Sequence, residues 1–138
     1  MHPEAVFVPV SVLALWTMVV ATLVGFRRVR AGRAGRLPPH AFKLGEAPGV
    51  PADVVLANRN FMNLLEMPVL FYVASIALYV THHVTPRAVA LAWIYVVLRL
   101  VHSAIHLTTN RVLQRLAAFA LSNIVLATMW IAFLRAVA

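Results

Sequence analysis

Residues 59–68 read RNFMNLLEMP, a polar stretch inside a segment that otherwise consists mostly of Val, Leu, Ala, Phe and Tyr. Within this stretch, Arg59, Asn63 and Glu66 stand at positions i, i+4 and i+7. At about 100° per residue, these positions fall within roughly 60° of one another around an α-helix. The stretch therefore predicts an apolar helix that carries one narrow polar stripe.

The composition of the whole chain predicts that this helix lies in a membrane. The 138 residues are 62% hydrophobic and only 12% charged, with a mean hydropathy of +0.86. A soluble domain is roughly 45–50% apolar and about 25% charged. So few charged residues cannot cover a soluble surface, and we therefore expect an integral membrane protein.

The basic residues are concentrated in one part of the chain. The formal net charge is +8, from 12 Lys and Arg against 4 Asp and Glu. Half of the basic residues lie in one short segment between two apolar runs: Arg27, Arg28, Arg30, Arg33, Arg36 and Lys43. This clustering is typical of a cytoplasmic loop under the positive-inside rule. It argues against a surface that binds nucleic acid.

Four apolar segments predict an all-α fold, an integral membrane four-helix bundle that forms a single domain over residues 1–138. Each segment is long enough to cross a hydrocarbon core of ~30 Å. Pro68 is expected to bend the second helix, because proline removes one backbone hydrogen bond. The later turns are short, which implies antiparallel neighbours and an up-down topology. The helices are expected at about 6–30, 51–81, 87–108 and 112–137.

The basic residues also predict the orientation of the bundle. The first and third connections share one side, where Arg111 and Arg115 join the basic loop. The opposite side carries only Arg87 and, at the end of the last helix, Arg135. We therefore expect both termini to lie outside the cytoplasm. The Ala- and Arg-rich, Lys-poor composition favours a bacterial inner membrane.

Polar residues recur at helical spacing in the third and fourth helices as well: Arg99, His102, His106, Arg111 and Arg115. Placing a charged residue at mid-membrane costs ~2.5–3.5 kcal/mol of free energy on insertion scales. Such residues therefore persist only when their charge is paired, hydrated or needed for function. The two histidines lack further Cys or acidic neighbours that would complete a metal site, and no metal is expected.

Glu66 is the only acidic residue beyond the start of the second helix, and it faces up to four arginines. One Glu–Arg pair could hold the second helix against the third, and the whole stripe could be an interhelical clasp that fixes packing. The surplus arginines still need anions, some of which are lipid phosphates at the interface. A net anion that carries one ammonium group, such as glutathione, suits this charge pattern.

The pattern R-x-x-x-N-x-x-E formed by Arg59, Asn63 and Glu66, closely followed by Pro68, resembles the second-helix signature of the MAPEG family. These are membrane-associated proteins of eicosanoid and glutathione metabolism. The similarity extends along nearly the whole chain, in its length, its four helices and its basic first loop. Further matching positions are Arg28 at the end of helix one, Arg99 and His102 in helix three, and Arg115 in helix four.

The resemblance implies a homotrimer with ligand sites between adjacent subunits, open towards the cytoplasm. Arg115 would be the catalytic residue that stabilises the thiolate of glutathione, and Arg28 would reach a neighbour's site. The implied activity is that of a membrane-bound glutathione transferase or peroxidase acting on lipophilic electrophiles or lipid hydroperoxides. The residues implied to hold glutathione, the cosubstrate, are Arg59, Asn63, Glu66, Arg99 and His102.

Phe119 departs from the family pattern, which often has tyrosine four residues after the catalytic arginine. Its ring can still pack against glutathione, but the hydroxyl is absent, and Tyr95 is a candidate substitute. The departure leaves open a second function, in which a non-catalytic protein of the same fold binds a lipid headgroup or another anion in the intersubunit site. A channel or transporter is disfavoured, because no broken-helix repeat is visible.

Overall fold

The computed structural model describes residues 2–138, which form helices joined by turns and one longer loop. No strand occurs among these residues, and the predicted all-α fold with four long apolar helices is confirmed. The elements are a 3₁₀ turn at Pro3–Val6 and the helices α1 (Phe7–Arg33), α2 (Ala52–Leu65), α3 (Met67–Val80), α4 (Pro86–Leu107) and α5 (Val112–Val137).

Four helical segments are long and apolar enough to span a membrane: Pro3–Arg33, Ala52–Val80, Pro86–Leu107 and Val112–Val137. Large apolar side chains on these segments point outward, and Leu15, Met18, Ile124 and Leu134 are each more than half exposed. Such a surface would promote aggregation in water, whereas lipid tails are as apolar as the side chains and solvate them. The chain is therefore built as a membrane protein.

The first helix is longer than predicted, because its end is set by a glycine. α1 continues to Arg33 instead of ending near residue 30. Gly35 adopts a left-handed conformation with φ of +63°, and its N–H donates to the carbonyl of Gly32 at 3.0 Å. The N–H of Arg36 donates to the carbonyl of Ala31 at 3.0 Å. These two bonds form the Schellman motif that commonly terminates helices.

The segment predicted as one helix over 51–81 consists of two helices that meet at Glu66. This residue has φ of −87° and ψ of −95°, outside the helical region. Pro68 follows as the second residue of α3. Because proline has no N–H and its ring clashes with the carbonyl four residues earlier, here that of Leu64, the helix cannot continue undisturbed. The expected bend is thus a break, with Glu66 at the junction.

The connection between α4 and α5 is short and tightly ordered. Thr108 follows the end of α4, and Asn110 adopts a left-handed conformation with φ of +46°. The N–H of Asn110 donates to the carbonyl of Ile105 at 2.7 Å, which closes the last turn of α4. α5 begins two residues later at Val112. This turn makes α4 and α5 antiparallel neighbours, which pack more extensively against each other than other helix pairs.

A buried polar cluster fixes α1, α2 and α4 against one another. The hydroxyl oxygen of Ser103 accepts hydrogen bonds from Trp16 Nε1 at 2.9 Å and from Asn60 Nδ2 at 2.6 Å. Ser103 and Asn60 are fully buried. Each bond joins two different helices. The cluster therefore fixes the position of α2, and of its polar stripe, along the length of α4. Aromatic packing supports this arrangement, with the rings of Phe71 and Tyr95 stacked at 4.6 Å between centroids.

Candidate functional site

A cavity of about 410 Å³ lies between α2, α4 and α5. Its walls combine the polar stripe of α2 with histidines of α4 and with an arginine and apolar side chains of α5. The buried rings of His102 and His106 form its inner part, whereas Arg59 and Glu66 are exposed at its rim. The lining residues are Arg59, Met62, Asn63, Glu66, His102, His106, Val112, Arg115, Leu116 and Phe119.

The polar stripe reaches the cavity because Arg59 and Asn63 share one face of α2 and Glu66 directly follows the end of that helix. Asn63 Nδ2 donates to the backbone carbonyl of Arg59 at 2.9 Å, which orients the amide along the helix. Glu66 lies at the junction and directly precedes the first turn of α3. The free N–H groups and the dipole of a helix N-terminus favour a carboxylate at this position.

The charges that line the cavity are not paired with one another. The ion pair between Arg36 and Asp53, with 3.5 Å between nitrogen and oxygen, is the only one within residues 2–138, and it lies outside the cavity. The Glu–Arg pair that the sequence left open as a helix clasp is therefore not formed within this part of the chain. Arg59, Glu66 and Arg115 present two positive charges and one negative charge to whatever occupies the cavity.

Arg115 is held by neutral acceptors. Its Nη1 donates to Asn110 Oδ1 at 2.6 Å and lies 3.4 Å from His106 Nε2. Its backbone carbonyl accepts a hydrogen bond from His102 Nδ1 at 3.0 Å. Because the carbonyl can only accept, His102 Nδ1 carries a proton, and in the neutral form of such a ring Nε2 is an acceptor. That atom is buried and has no partner among residues 2–138.

Arg99 lies behind the cavity and does not line it. Its side chain is fully buried, Nη2 donates to the backbone carbonyl of Asn63 at 2.6 Å, and its guanidinium carbon lies 5.6 Å from the centre of the Phe119 ring. In an unbroken helix, the Asn63 carbonyl would accept from the N–H of Met67. The break at Glu66 turns that N–H away, and the cation of Arg99 meets the negative end of α2.

Arg28 also lies outside the cavity of its own chain. Its Nη2 donates to Asn58 Oδ1 at 3.1 Å, and its guanidinium carbon lies 4.5 Å from the centre of the Phe42 ring. The arginine thus joins α1 to α2 and to the loop between them. Of the eight site residues that the sequence and the resemblance nominate, the structure brings six to the cavity and leaves Arg28 and Arg99 outside its walls.

Sequence reasoning did not assign His106 or the apolar wall to the glutathione site. His106 lies four residues after His102, so helical spacing alone would have placed it on the same face. Val112 and Leu116 are more than half exposed, at 62% and 57%, and continue the cavity towards the outer surface of the chain. Tyr95, the candidate substitute hydroxyl, does not line the cavity.

Metal-ligating residues are sparse around this site. Across residues 2–138, no group of three or more His, Cys, Asp or Glu side chains is close enough together to hold a metal ion. The ionisable side chains that line the cavity are two arginines, one glutamate and two histidines.

Comparisons with known proteins agree with the helical architecture. A model of the MAPEG family matches residues 6–135, which include all ten residues of the cavity. Comparison with curated proteins gives no match, and comparison with solved structures gives none either.

Proposed function

Because the chain belongs to the MAPEG family, which includes glutathione transferases and peroxidases, we propose that it is a membrane-bound glutathione-dependent transferase or peroxidase. Its second substrates are lipophilic electrophiles or lipid hydroperoxides. Glutathione is the cosubstrate and occupies the cavity between α2, α4 and α5.

The charge balance of the cavity is the observation that carries this proposal. Arg59 and Arg115 contribute two positive charges and Glu66 one negative charge, none of which has an ion-pair partner in residues 2–138. Glutathione carries two carboxylates and one ammonium group, and its thiolate adds a further negative charge, so each charge of the cavity meets a group of opposite sign. Arg59 binds a carboxylate, Arg115 faces the thiolate, Glu66 accepts from the ammonium group, and Asn63 supplies neutral hydrogen bonds to the peptide.

Arg115 provides the chemistry. A free thiol has a pKa of about 8.5, and an adjacent cation raises the fraction of the nucleophilic thiolate at neutral pH. In the transferase reaction, the thiolate sulfur forms a bond to an electrophilic carbon of the second substrate, and the leaving group on that carbon departs with the electron pair of the broken bond. In the peroxidase reaction, the thiolate sulfur attacks the terminal oxygen of the hydroperoxide and the O–O bond breaks. Glutathione sulfenic acid forms, and the lipid alkoxide takes up the proton that the thiol released and leaves as the alcohol. A second glutathione then reduces the sulfenic acid, which yields glutathione disulfide and water.

The apolar wall of the cavity is suited to the second substrate. Val112 and Leu116 of α5 are exposed at the lipid-facing surface, and Met62 of α2 is 48% exposed. A lipophilic molecule can therefore enter from the membrane while glutathione enters from the aqueous side. Phe119 also lines the cavity, where its ring lies 5.8 Å from that of His102, and it can contact a ligand without offering a hydroxyl.

The family resemblance supports a homotrimer in which Arg28 of one subunit reaches the cavity of the next. The position of Arg28 on α1, away from its own cavity, is compatible with this role. The basic α1–α2 loop and the α4–α5 turn lie on the cytoplasmic side, which leaves both termini outside. We assign the protein to a bacterial inner membrane on its composition.

Substitution of Arg115 tests the proposed reaction. Arg115→Ala is expected to lower turnover of a lipophilic electrophile by at least about 100-fold, because the cation that stabilises the thiolate is lost. The matched control is Arg111→Ala, which removes an exposed arginine that does not line the cavity. Turnover is measured with glutathione and a chromogenic electrophile, and the oligomeric state is checked by size-exclusion chromatography. Unchanged turnover in a correctly assembled Arg115→Ala protein would refute the catalytic role.

A further inference from the structure

The turn between α4 and α5 places a second polar side chain against Arg115. Asn110 Oδ1 accepts the hydrogen bond from Arg115 Nη1 at 2.6 Å, the shorter of the two contacts made by that nitrogen. Asn110 is not a lining residue of the cavity. Asn110 therefore contacts Arg115 from outside the cavity in which the ligand would bind.

The backbone of Asn110 fixes the direction of its side chain. The residue has φ of +46°, and its N–H is bound to the carbonyl of Ile105 at 2.7 Å. Glycine adopts this left-handed conformation without penalty, and asparagine is one of the few other residues that adopt it readily. Glycine would offer no acceptor. Asparagine at this position both closes the turn and holds the guanidinium.

The C-terminal part of α4 holds Arg115 at both ends. His102 Nδ1 donates to the Arg115 backbone carbonyl at 3.0 Å, and His106 Nε2 lies 3.4 Å from the same Nη1 that Asn110 binds. These contacts limit the rotation of the side chain about its long axis. A guanidinium has five N–H donors, so those not used by Asn110 and His106 remain for a ligand.

The amide oxygen of Asn110 is a neutral acceptor, which preserves the charge of Arg115. A carboxylate in place of the Asn110 amide would bind the guanidinium more strongly but would offset the charge that a thiolate needs. A preorganised cation that is held without a counterion stabilises developing negative charge most effectively.

We propose that Asn110 is a positioning residue that orients the Arg115 guanidinium for the glutathione thiolate while leaving its charge available. The inference rests on the proposed function of the cavity. It assigns the α4–α5 turn a part in the reaction, in addition to its structural role in joining two helices.

Three substitutions in this turn separate the side chain, its charge and the backbone. Asn110→Gly retains the left-handed conformation and removes the acceptor. Asn110→Asp retains both the conformation and the acceptor but adds a negative charge. Thr109→Gly is the matched control, since it adds the same backbone freedom at an exposed neighbouring position. Thiolate formation is followed by ultraviolet absorbance of the glutathione complex across pH, and kcat and KM are measured for each protein.

For Asn110→Gly and Asn110→Asp, we expect thiolate formation to shift to higher pH, towards that of free glutathione. We expect kcat to fall by up to roughly 100-fold, because small misplacements of catalytic groups can lower rates by this factor. The KM for glutathione should change little. Thr109→Gly is expected to behave as wild type. If Asn110→Gly keeps wild-type thiolate formation and kcat, Asn110 serves only the turn, and the inference is wrong. Unchanged thiolate formation and kcat in Asn110→Asp would overturn the claim that a neutral acceptor keeps the charge of Arg115 available.

A second measurement separates failure of this inference from failure of the proposed function. If the wild-type protein forms no thiolate, the proposed function is wrong, and the contact itself is then tested by NMR of arginine labelled with nitrogen-15. The Nε–H signal of Arg115 is assigned by its loss in Arg115→Lys. It is expected to be rigid in wild type and mobile in Asn110→Gly, and equal mobility in both proteins overturns the inference.

Discussion

At the scale of single residues, the charges of the cavity are arranged for a ligand rather than for one another. Placing a charge at mid-membrane costs ~2.5–3.5 kcal/mol on insertion scales, which an ion pair inside the protein would offset in part. Arg59, Glu66 and Arg115 form no such pair within residues 2–138. A ligand with a carboxylate, a thiolate and an ammonium group, as glutathione has, would satisfy all three at once.

Substitution of Glu66 tests whether the cavity is built for glutathione or for a simple anion. Glu66→Gln keeps the shape of the side chain and removes the charge that would bind the ammonium group. We expect glutathione affinity to fall by about 10- to 100-fold, since a hydrogen bond to a charged group contributes ~1.5–3 kcal/mol. Phosphate has no ammonium group, so its affinity should stay the same or rise. Both affinities are measured by calorimetric titration of the same protein preparations.

An equal loss of glutathione and phosphate affinity in Glu66→Gln would show that Glu66 acts through packing of the α2–α3 junction. Asn63→Ala is a useful companion, because it removes a neutral side chain from the same face of α2. It should weaken glutathione binding less than Glu66→Gln does.

Some residue-level features of this site could be predicted from the sequence and others could not. The grouping of Arg59, Asn63 and Glu66 follows from helical periodicity alone, which depends only on spacing. The contacts of Arg99 with the Asn63 carbonyl and of Asn110 with Arg115 depend on one backbone angle each, at the junction and in the α4–α5 turn. Periodicity contains no information about such angles, so these contacts emerge only in three dimensions.

At the scale of helices, the site depends on the position of α2 relative to α4. The buried cluster around Ser103 joins α1, α2 and α4 by two hydrogen bonds, and Arg99 joins α4 to the end of α2. The sequence indicated a helix disturbance near Pro68, because proline cannot complete the backbone pattern. It did not indicate that a buried arginine would donate to the carbonyl that loses its helical hydrogen bond at the break.

Removal of the Ser103 hydroxyl tests the helix cluster. Ser103→Ala leaves the side-chain donors of Trp16 and Asn60 buried without their acceptor. We expect the free energy of unfolding to fall by ~1–3 kcal/mol, the typical penalty for an unsatisfied buried polar group. Ser122→Ala is the matched control, because the Ser122 hydroxyl is also buried but bonds only to the carbonyl of Phe119 in its own helix, at 2.8 Å.

Both serine variants are compared in detergent by reversible unfolding with a denaturant. Equal stability of Ser103→Ala and Ser122→Ala would mean that the interhelical bonds add nothing beyond what an intrahelical hydroxyl provides. The same comparison reports on the site, since a loosened α2 should also weaken glutathione binding in Ser103→Ala.

At the scale of the whole molecule, the apolar outer surface and the four spans agree with the composition of the chain. This level was the most predictable from sequence, because an excess of apolar residues and the length of each run suffice to identify spans. The proposed trimer belongs to the same scale, and it requires each site to combine residues of two subunits.

Mixing two inactive subunits tests the shared site. If Arg28 serves a neighbour's cavity, Arg28→Ala and Arg115→Ala subunits should each be inactive alone and should regain activity when they are co-expressed. About one-third of sites should recover in every mixed trimer, since only one of its three neighbouring pairs combines an intact Arg115 with an intact Arg28 from the next subunit. Turnover of purified mixed trimers, selected by two different tags, provides the measurement.

Absence of recovered activity in confirmed mixed trimers would contradict a contribution of Arg28 across the subunit boundary. The control is a mixture of Arg59→Ala and Arg115→Ala subunits. Both of these residues line the cavity of one chain, so any recovery in that mixture would instead indicate that the cavity itself is divided between subunits.

Isothermal titration calorimetry of the detergent-purified protein with glutathione decides whether the cavity is a glutathione site. Saturable binding is expected, with higher affinity for glutathione than for S-methyl glutathione, which cannot form a thiolate beside Arg115. Absence of binding at millimolar glutathione would contradict the proposed function, and the cavity would then be assigned to a lipid headgroup or another anion.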